Sequence, residues 1–199
     1  MCEPRRVHWV AAKHIFRYLQ GTVDFGLDYR QGDGVRLAGY TDSDWASCAS
    51  DRKSTSGCCF GLGSAVVLWI SRKQQSVALS SAEAEYMAAS LASCEAIWLR
   101  KMLFGLFGQT LRPLVICCDN QSCIKLTENP VFHDRSKHIE IKYHFIRDYV
   151  QKRVFKLEYI STNEQVADIF TKALPRGKHV YFKDKMGVVR NTFLGKREC

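Results

Sequence analysis

Four acidic residues stand at the ends of predicted secondary-structure elements, the arrangement that two-metal phosphodiester hydrolysis needs. In that chemistry, two divalent ions about 4 Å apart prepare the attacking water and stabilise the leaving oxygen, so several carboxylates must converge on one point. Mg²⁺ prefers oxygen ligands and keeps some of its waters, so three or four carboxylates suffice. The candidate metal ligands and catalytic residues are Asp42, Glu85, Asp119 and Asp168.

Local patterns favour Asp119 and Glu85. Asp119 follows the apolar run 114–118, at the edge of a predicted strand where ligand sites in open α/β sheets lie; the alternative is an aspartate that caps a helix. Glu85 opens a stripe of small residues on a predicted helix, and a buried acid there is costly unless it is paired or metal-bound. Glu83 instead completes a capping box with Ser80, so Glu85 is the favoured ligand.

The other two acids depend more on their context. Asp42 and Asp44 share one face of a predicted strand because side chains alternate along an extended chain. Asp42 is nearer the body of the strand and is favoured, whereas Asp44 reads as a neighbouring or surface acid. Asp168 follows a predicted capping box at residues 162–165, and on its own it fits a solvated helix position equally well.

The elements that must position these acids occur in the order β-β-β-α-β-α-α-β-α. A hairpin-joined half followed by helical crossovers predicts a mixed sheet covered by helices. Predicted strands span 37–41, 54–62, 64–73, 114–118 and 154–160. Predicted helices span 81–107, about 119–128, 138–152 and 164–174. Trp69 and Trp98 fall in apolar-patterned elements and are expected in the core.

Three segments are predicted along the chain. Residues 1–35 hold one amphipathic helix and a short strand without a core of their own, which is typical of the end of a larger unit. Residues 36–175 form the main domain. Residues 176–199 are expected to be a basic, weakly patterned C-terminal tail.

Composition narrows the class of partner. The formal net charge of +9 favours a polyanion, because phosphate contacts supply sequence-independent affinity. The nine cysteines show no C-x₂-C pair and no matching cysteine–histidine set, so buried, reduced thiols are favoured over zinc or disulfides. No apolar run approaches the ~20 residues of a membrane span, and the N-terminus has no secretory apolar core, so we expect an intracellular protein without a membrane partner.

Ordered motifs along most of the chain resemble one family. The segments GYTDSDWA, DRKSTSG, SSAEAEYMA, CDNQSCIKL, NPVFHDRSKHIEIKYHFIRDYV and EQVADIFTKAL resemble the RNase H domain of copia-type LTR retrotransposon polyproteins. The preceding HWVAAKHIFRYLQGT resembles the end of the reverse transcriptase region of the same polyproteins. The resemblance implies an α/β, RNase H-like fold with a five-stranded mixed sheet flanked by helices and an N-terminal helical and strand extension.

The resemblance also implies a function. It assigns the GYTD, AEAEY, CDN and ADIFTK acids to Asp42, Glu85, Asp119 and Asp168, and it implies two Mg²⁺ ions, for which Mn²⁺ can substitute. It implies an RNA–DNA hybrid substrate, the reverse transcriptase domain of the same polyprotein as partner, and a cytoplasmic particle whose DNA product goes to the nucleus. Many RNases H carry a histidine before the last acid. Residues 159–164 have none, so we expect a slower enzyme or one that relies on metal-bound water alone. His133, His138, His144 and His179 lie elsewhere, and a satisfied or exposed histidine is favoured over a substitute for the missing one.

Two groups of polar residues near the acids are candidate contacts to nucleic acid. An RNase H must hold phosphates and sense the 2′-hydroxyl without reading sequence. The candidates are Arg72, Lys73, Gln74 and Gln75 after a predicted strand, and Asn120, Gln121 and Ser122 after Asp119. For both groups, the alternative is a solvated loop or a helix cap.

The sequence therefore predicts an endonuclease that cuts the RNA strand of RNA–DNA hybrids by a two-metal mechanism. The alternative is an inactive or repurposed retroelement fragment that binds nucleic acid without cleaving it. An integrase is disfavoured because the glutamate is second in the order of acids, whereas integrases place it last.

Overall fold

A five-stranded sheet lies at the centre of the computed structural model, which describes residues 3–30, 37–108, 113–128 and 140–191, with side chains in the last range from residue 145. In chain order the elements are α1 (Arg6–Gln20), β1 (Phe25–Leu27), β2 (Leu37–Asp44), β3 (Thr55–Leu62), β4 (Ala65–Lys73), α2 (Ser81–Phe107), β5 (Leu114–Cys118), α3 (Gln121–Glu128), α4 (Glu140–Gln151), β6 (Phe155–Tyr159), a 3₁₀ helix (Val166–Phe170), α5 (Arg176–Lys185) and β7 (Val188–Arg190).

The central sheet has the strand order β4-β3-β2-β5-β6. β2, β3 and β4 are antiparallel, whereas β5 is parallel to both β2 and β6, so the predicted mixed sheet is confirmed. Because β2 and β5 are parallel neighbours, their C-terminal ends meet at the same edge of the sheet. That edge receives the residues that follow both strands.

Helix α2 packs closely on the sheet through small side chains. Ala88, Ala92 and Ala96 are completely buried along one stripe, as predicted. At the start of the helix, the side chain of Ser80 accepts a hydrogen bond from the Glu83 N–H at 3.2 Å. The Glu83 carboxylate accepts from the Leu79 N–H at 2.8 Å, one residue earlier than a standard capping box requires. The cap gives Glu83 a structural role and leaves Glu85 to face the sheet edge.

The helix predicted over residues 164–174 is wrong. The structure has a 3₁₀ helix there, at Val166–Phe170, because the fully buried Gln165 side chain ties this turn to the sheet. Its Nε2 donates to the Thr41 carbonyl at 2.9 Å, and its Oε1 accepts from the Ala167 N–H. The turn also lies directly on Gly57 of β3, where an added Cβ would come within 3.1 Å of the Ala167 carbonyl oxygen. This packing holds the segment as a short, tight turn.

The segment after residue 175 also differs from the predicted weakly patterned tail. Residues 176–190 form α5 and β7, and β7 pairs antiparallel with β1 in a second, two-stranded sheet. Phe182 and Met186 are buried in an apolar cluster on the face of the main sheet opposite α2. The N-terminal extension and the C-terminal segment therefore pack together, and the segment boundaries at 35 and 175 stay a prediction.

Large apolar side chains are exposed on α1, on which no side chain is buried. Trp69 and Trp98 are each 54% exposed, so their predicted place in the core is wrong. For Trp69 the reason is that β4 is an edge strand of the sheet. In the part of the chain that the structure describes, no helix is long and apolar enough to cross a membrane.

Candidate active site

The paired C-terminal ends of β2 and β5 bring Asp42 and Asp119 to the same level. The parallel register matches Tyr40 with Cys117, so two residues further along each strand Asp42 stands opposite Asp119. Asp42 is 1% exposed, and Asp119 is half-buried just beyond β5. Asp44, the alternative on the same face of β2, lies at the open end of the strand and is only partly buried.

Glu85 reaches the same edge from the second turn of α2. Its side chain is 6% exposed, and its Oε1 accepts a hydrogen bond from the backbone N–H of Ser43 at 3.1 Å. This bond links the helix directly to the residue after Asp42. The other oxygen, Oε2, has no hydrogen-bond partner among the residues that the structure describes.

Asp168 approaches from the face of the sheet opposite α2. It lies in the 3₁₀ helix and is completely buried. Thr171, at the end of that turn, donates a short hydrogen bond from its hydroxyl to Asp42 Oδ2. Together with the bond from Gln165 to the Thr41 carbonyl, this contact fixes Asp168 beside Asp42.

The four predicted acids therefore share one site, in two overlapping groups. One carboxylate oxygen from each of Asp42, Asp119 and Asp168 lies within 4.8 Å of the other two. A carboxylate oxygen of Glu85, one of Asp119 and the Cys118 sulfur form a second such group. Asp119 belongs to both groups, so it lies between them.

Burial raises the pKa of two of these acids, Glu85 and Asp42. Desolvation raises the pKa of Glu85 to about 10, and the nearby negative charge of Asp42 adds to the effect. Desolvation also raises the pKa of Asp42 to about 6, although the Thr171 hydrogen bond and the Lys172 charge oppose it. The site thus concentrates carboxyl groups whose negative charge the surrounding protein compensates only in part.

Two lysines that we did not predict contact the acids. Lys172 Nζ lies 2.9 Å from Asp168 Oδ1 and 3.5 Å from Asp42 Oδ2. Lys178 of α5 lies 2.8 Å from Asp168 Oδ2 and donates to the Thr162 carbonyl at 3.0 Å. Burial lowers the pKa of Lys172, but the charges of Asp42 and Asp168 outweigh it and hold that pKa above its ordinary value.

The donor set fits divalent cations. Four carboxylates meet two lysines, and a buried carboxylate oxygen without a partner, such as Glu85 Oε2, is costly unless something binds it. Oxygen-rich sites of this kind suit Mg²⁺ or Mn²⁺. Asp42, Asp119, Asp168 and Glu85 would hold such ions.

A cleft of about 250 Å³ lies beside the site, between the end of β4 and α2, and residues 72–75 all line it. Arg72 and Gln75 are exposed there, and Lys73 is paired with Asp51 at 2.8 Å. Gln74 differs from its predicted role as a contact to nucleic acid. It is 7% exposed, and its Nε2 donates to the Ala84 carbonyl and to the hydroxyls of Ser56 and Ser43. Gln74 therefore positions the strand ends against α2.

The second predicted contact group follows Asp119. Asn120 Oδ1 accepts a hydrogen bond from the Cys123 N–H at 2.9 Å, so Asn120 caps α3 as the alternative reading proposed. Gln121 and Ser122 are exposed on the first turn of α3. His133 and His138 lie outside the described residues, as does the side chain of His144. The Lys178 ammonium lies against the loop 159–164, which precedes the last acid and contains no histidine.

Comparisons with known proteins give close sequence relatives and a remote structural one. The chain is 42% identical to a retrovirus-related Pol polyprotein from transposon RE2 of Arabidopsis thaliana over 94% of its own length and 13% of that protein. It is equally similar to the corresponding polyprotein from transposon TNT 1-94 of Nicotiana tabacum, over 94% of this chain and 14% of that one. No protein-family model matches. The N-terminal RNase H domain of a Mycobacterium tuberculosis protein has the same fold, with a TM-score of 0.51 and 10% identity over 75% of this chain and 96% of that one.

Proposed function

The chain belongs to the family of retrovirus-related Pol polyproteins of transposons, and on that premise we propose that it hydrolyses the RNA strand of RNA–DNA hybrids with two bound divalent ions. The observation that carries the proposal is the convergence of Asp42, Glu85, Asp119 and Asp168, from four separate elements, at one edge of an RNase H fold. Coordination of metal by all four acids is part of the proposal.

The chain spans about an eighth of the length of the relatives it matches. Its setting is therefore also part of the proposal: a copia-type polyprotein, in which the preceding reverse transcriptase domain is the partner, acting in a cytoplasmic particle. The exposed apolar side chains of α1 support a neighbour of this kind, since the helix buries none of its own side chains.

Each acid has a distinct part in the proposed mechanism. Asp119 belongs to both donor groups. Asp42 and Asp168 supply the other oxygens of the first group, and Glu85 supplies the other carboxylate oxygen of the second. Gln165 and Thr171 hold the segment that carries Asp168 beside Asp42. Gln165 donates a hydrogen bond to the Thr41 carbonyl, and Thr171 donates one to the Asp42 carboxylate. When bound, the divalent ions supply an activated water and stabilise the leaving oxygen.

Lys172 and Lys178 change partners in this mechanism. In the metal-free protein they neutralise Asp42 and Asp168, and bound cations would take over that role. The released ammonium groups would then stand at the edge of the site, where they attract the phosphates of the hybrid. Such an exchange would couple substrate binding to metal binding through the charges of Lys172 and Lys178.

The hybrid would lie across the sheet edge, with its RNA strand at the acids and its DNA strand over the cleft beside α2. Arg72 and Gln75 are exposed in that cleft and would contact the backbone, while Gln121 and Ser122 would contact the strand near Asp119. Backbone contacts of this kind position a duplex without reading its sequence, and the 2′-hydroxyl distinguishes RNA from DNA.

The experiment that tests the proposal compares three labelled duplexes, an RNA–DNA hybrid, a double-stranded DNA and a double-stranded RNA, with Mg²⁺ and with EDTA. We expect cleavage of the RNA strand of the hybrid alone, only with Mg²⁺, and products that end in 5′-phosphate and 3′-hydroxyl. Binding of the hybrid without cleavage in either Mg²⁺ or Mn²⁺ would contradict the proposal and favour a fragment that only binds nucleic acid.

A further inference from the structure

The sulfur of Cys118 lies against the acids and belongs to none of the roles above. Cys118 is the last residue of β5 and is completely buried directly before Asp119. Its Sγ, a Glu85 carboxylate oxygen and an Asp119 carboxylate oxygen all lie within 4.8 Å of one another. One side of the oxygen-rich site therefore offers a mixed set of one sulfur and two oxygen donors.

A second, independent feature of this corner points to a ligand. Glu85 is only 6% exposed, and its Oε2 has no hydrogen-bond partner in the described part of the chain. A buried carboxylate oxygen that loses its water and gains no donor destabilises the folded protein. A cation held between Glu85, Cys118 and Asp119 would supply the missing partner.

The sulfur determines which cation fits. Mg²⁺ is a hard ion that takes oxygen ligands and water, whereas thiolates select softer ions, of which Zn²⁺ is the common divalent one. Zn–S bonds of about 2.3 Å and Zn–O bonds of about 2.1 Å give tetrahedral edges of about 3.6 Å. Donors that already lie within 4.8 Å of one another need to close by only about 1 Å to reach that spacing.

We propose that Cys118, Glu85 and Asp119 form a binding site for a thiolate-preferring divalent cation, Zn²⁺, which overlaps the proposed Mg²⁺ site at Glu85 and Asp119. On binding, the Cys118 thiol and the protonated Glu85 carboxyl each release a proton to solvent, and the sulfur and a Glu85 oxygen coordinate the ion. Bound Zn²⁺ then occupies Glu85 and Asp119, two of the four acids, and blocks their use by Mg²⁺. This inhibition rests on the proposed nuclease function, whereas the binding itself does not.

The test uses the metal-free protein, kept reduced by a phosphine, and Cd²⁺ as a spectroscopic substitute for Zn²⁺. We expect an ultraviolet thiolate-to-cadmium charge-transfer band that saturates at one equivalent, is removed by Zn²⁺ and persists in excess Mg²⁺. Cys118→Ser should abolish the band. The matched control, Cys94→Ser on the exposed face of α2, should keep it. A band that survives in Cys118→Ser, or no band in the wild-type protein, overturns the proposal.

Two further measurements keep the test decisive. The cadmium NMR shift of the wild-type protein distinguishes one sulfur ligand from oxygen ligands alone without any variant, and an all-oxygen shift overturns the proposal. For inhibition, Zn²⁺ should slow cleavage of the hybrid by the Cys94→Ser protein at least tenfold more than by Cys118→Ser. If no form of the protein cleaves the hybrid, the proposed nuclease function fails while the charge-transfer result still decides the metal site.

Discussion

Replacing Glu85 with glutamine should stabilise the metal-free protein, and the gain should grow with pH. Burial raises the pKa of Glu85 from 4.5 to about 10, so at neutral pH the folded protein holds a proton that the unfolded chain has lost. Stability therefore falls as pH rises through this window, because the native state binds more protons than the unfolded state. Glutamine carries no titrating proton, so Glu85→Gln does not show this loss.

The stability that Glu85→Gln gains follows from the size of the pKa shift of Glu85. Each pH unit between the pKa of Glu85 in the unfolded chain and its pKa in the folded protein lowers the free energy of unfolding by about 1.4 kcal/mol. Between the ordinary value of 4.5 and pH 7 the accumulated cost is about 3 kcal/mol. The side chain is 6% exposed, so solvent screens little of it. Glu85→Gln should thus gain little near pH 5 and about 3 kcal/mol near pH 7.

Urea unfolding of both proteins in EDTA, at several values from about pH 5 to about pH 8, measures the difference directly. Glu85→Met serves as the control, because it removes the titrating group but changes the packing. In both variants, the free energy of unfolding should lack the same pH-dependent contribution, even if the absolute stabilities of the variants differ. A difference in stability between wild type and Glu85→Gln that stays constant across this pH range would show that Glu85 is ionised in the folded protein and would contradict the prediction.

Four further substitutions probe the site and its support. Lys172→Met should lower stability in EDTA by about 2 kcal/mol and by less in Mg²⁺, because buried Asp42 loses its lysine contact while Asp168 keeps only the contact with Lys178; equal urea midpoints for variant and wild type in EDTA would contradict this. Gln74→Leu should lower the thermal midpoint by an amount equivalent to about 2 kcal/mol, whereas Arg72→Ala should leave it unchanged and weaken hybrid binding in a fluorescence titration. Gly187→Ala should cost at least about 2 kcal/mol and expose residues 176–190 to limited proteolysis, since Gly187 has φ +75° and an added Cβ would lie 2.5 Å from the Ser64 carbonyl oxygen.

The sheet and its acidic edge could be predicted because their signals are local. The apolar run before Asp119, the small-residue stripe after Glu85 and the hairpin near residue 63 each encode one element and its end. The parallel pairing of β2 with β5 then follows from the order of the elements and brings Asp42 to Asp119. The choice of Asp42 and Asp168 drew largely on family resemblance, and their metal coordination stays a prediction.

What the sequence did not reveal depends on contacts between distant residues. Lys178 lies ten residues after Asp168, and no local pattern joins the two side chains. Lys172 stands four residues after Asp168, a spacing at which side chains meet on a helix, so this signal was available. In residues 176–190, the apolar pair Phe182 and Met186 has the same spacing, but the surrounding basic residues concealed it.

Gln74 shows a second reason why a side chain's role could not be predicted from the sequence. In the sequence it belongs to a run of cationic and amide side chains that reads as a surface for nucleic acid. In the structure, the Gln74 side chain is buried, and its amide donates hydrogen bonds to Ser43, Ser56 and Ala84. Alternation along β4 alone does not decide which amide remains at the surface.

If the acids gathered at the sheet edge perform the proposed hydrolysis, two nearby aspartates of β2 must differ in their effect on cleavage. Asp42 is buried in the acidic group, whereas Asp44 lies two residues further along and is only partly buried. The measurement is the rate at which Asp42→Asn and Asp44→Asn cleave the RNA strand of a hybrid in Mg²⁺. We expect Asp42→Asn to abolish cleavage and Asp44→Asn to retain it. Retained cleavage in Asp42→Asn would contradict it.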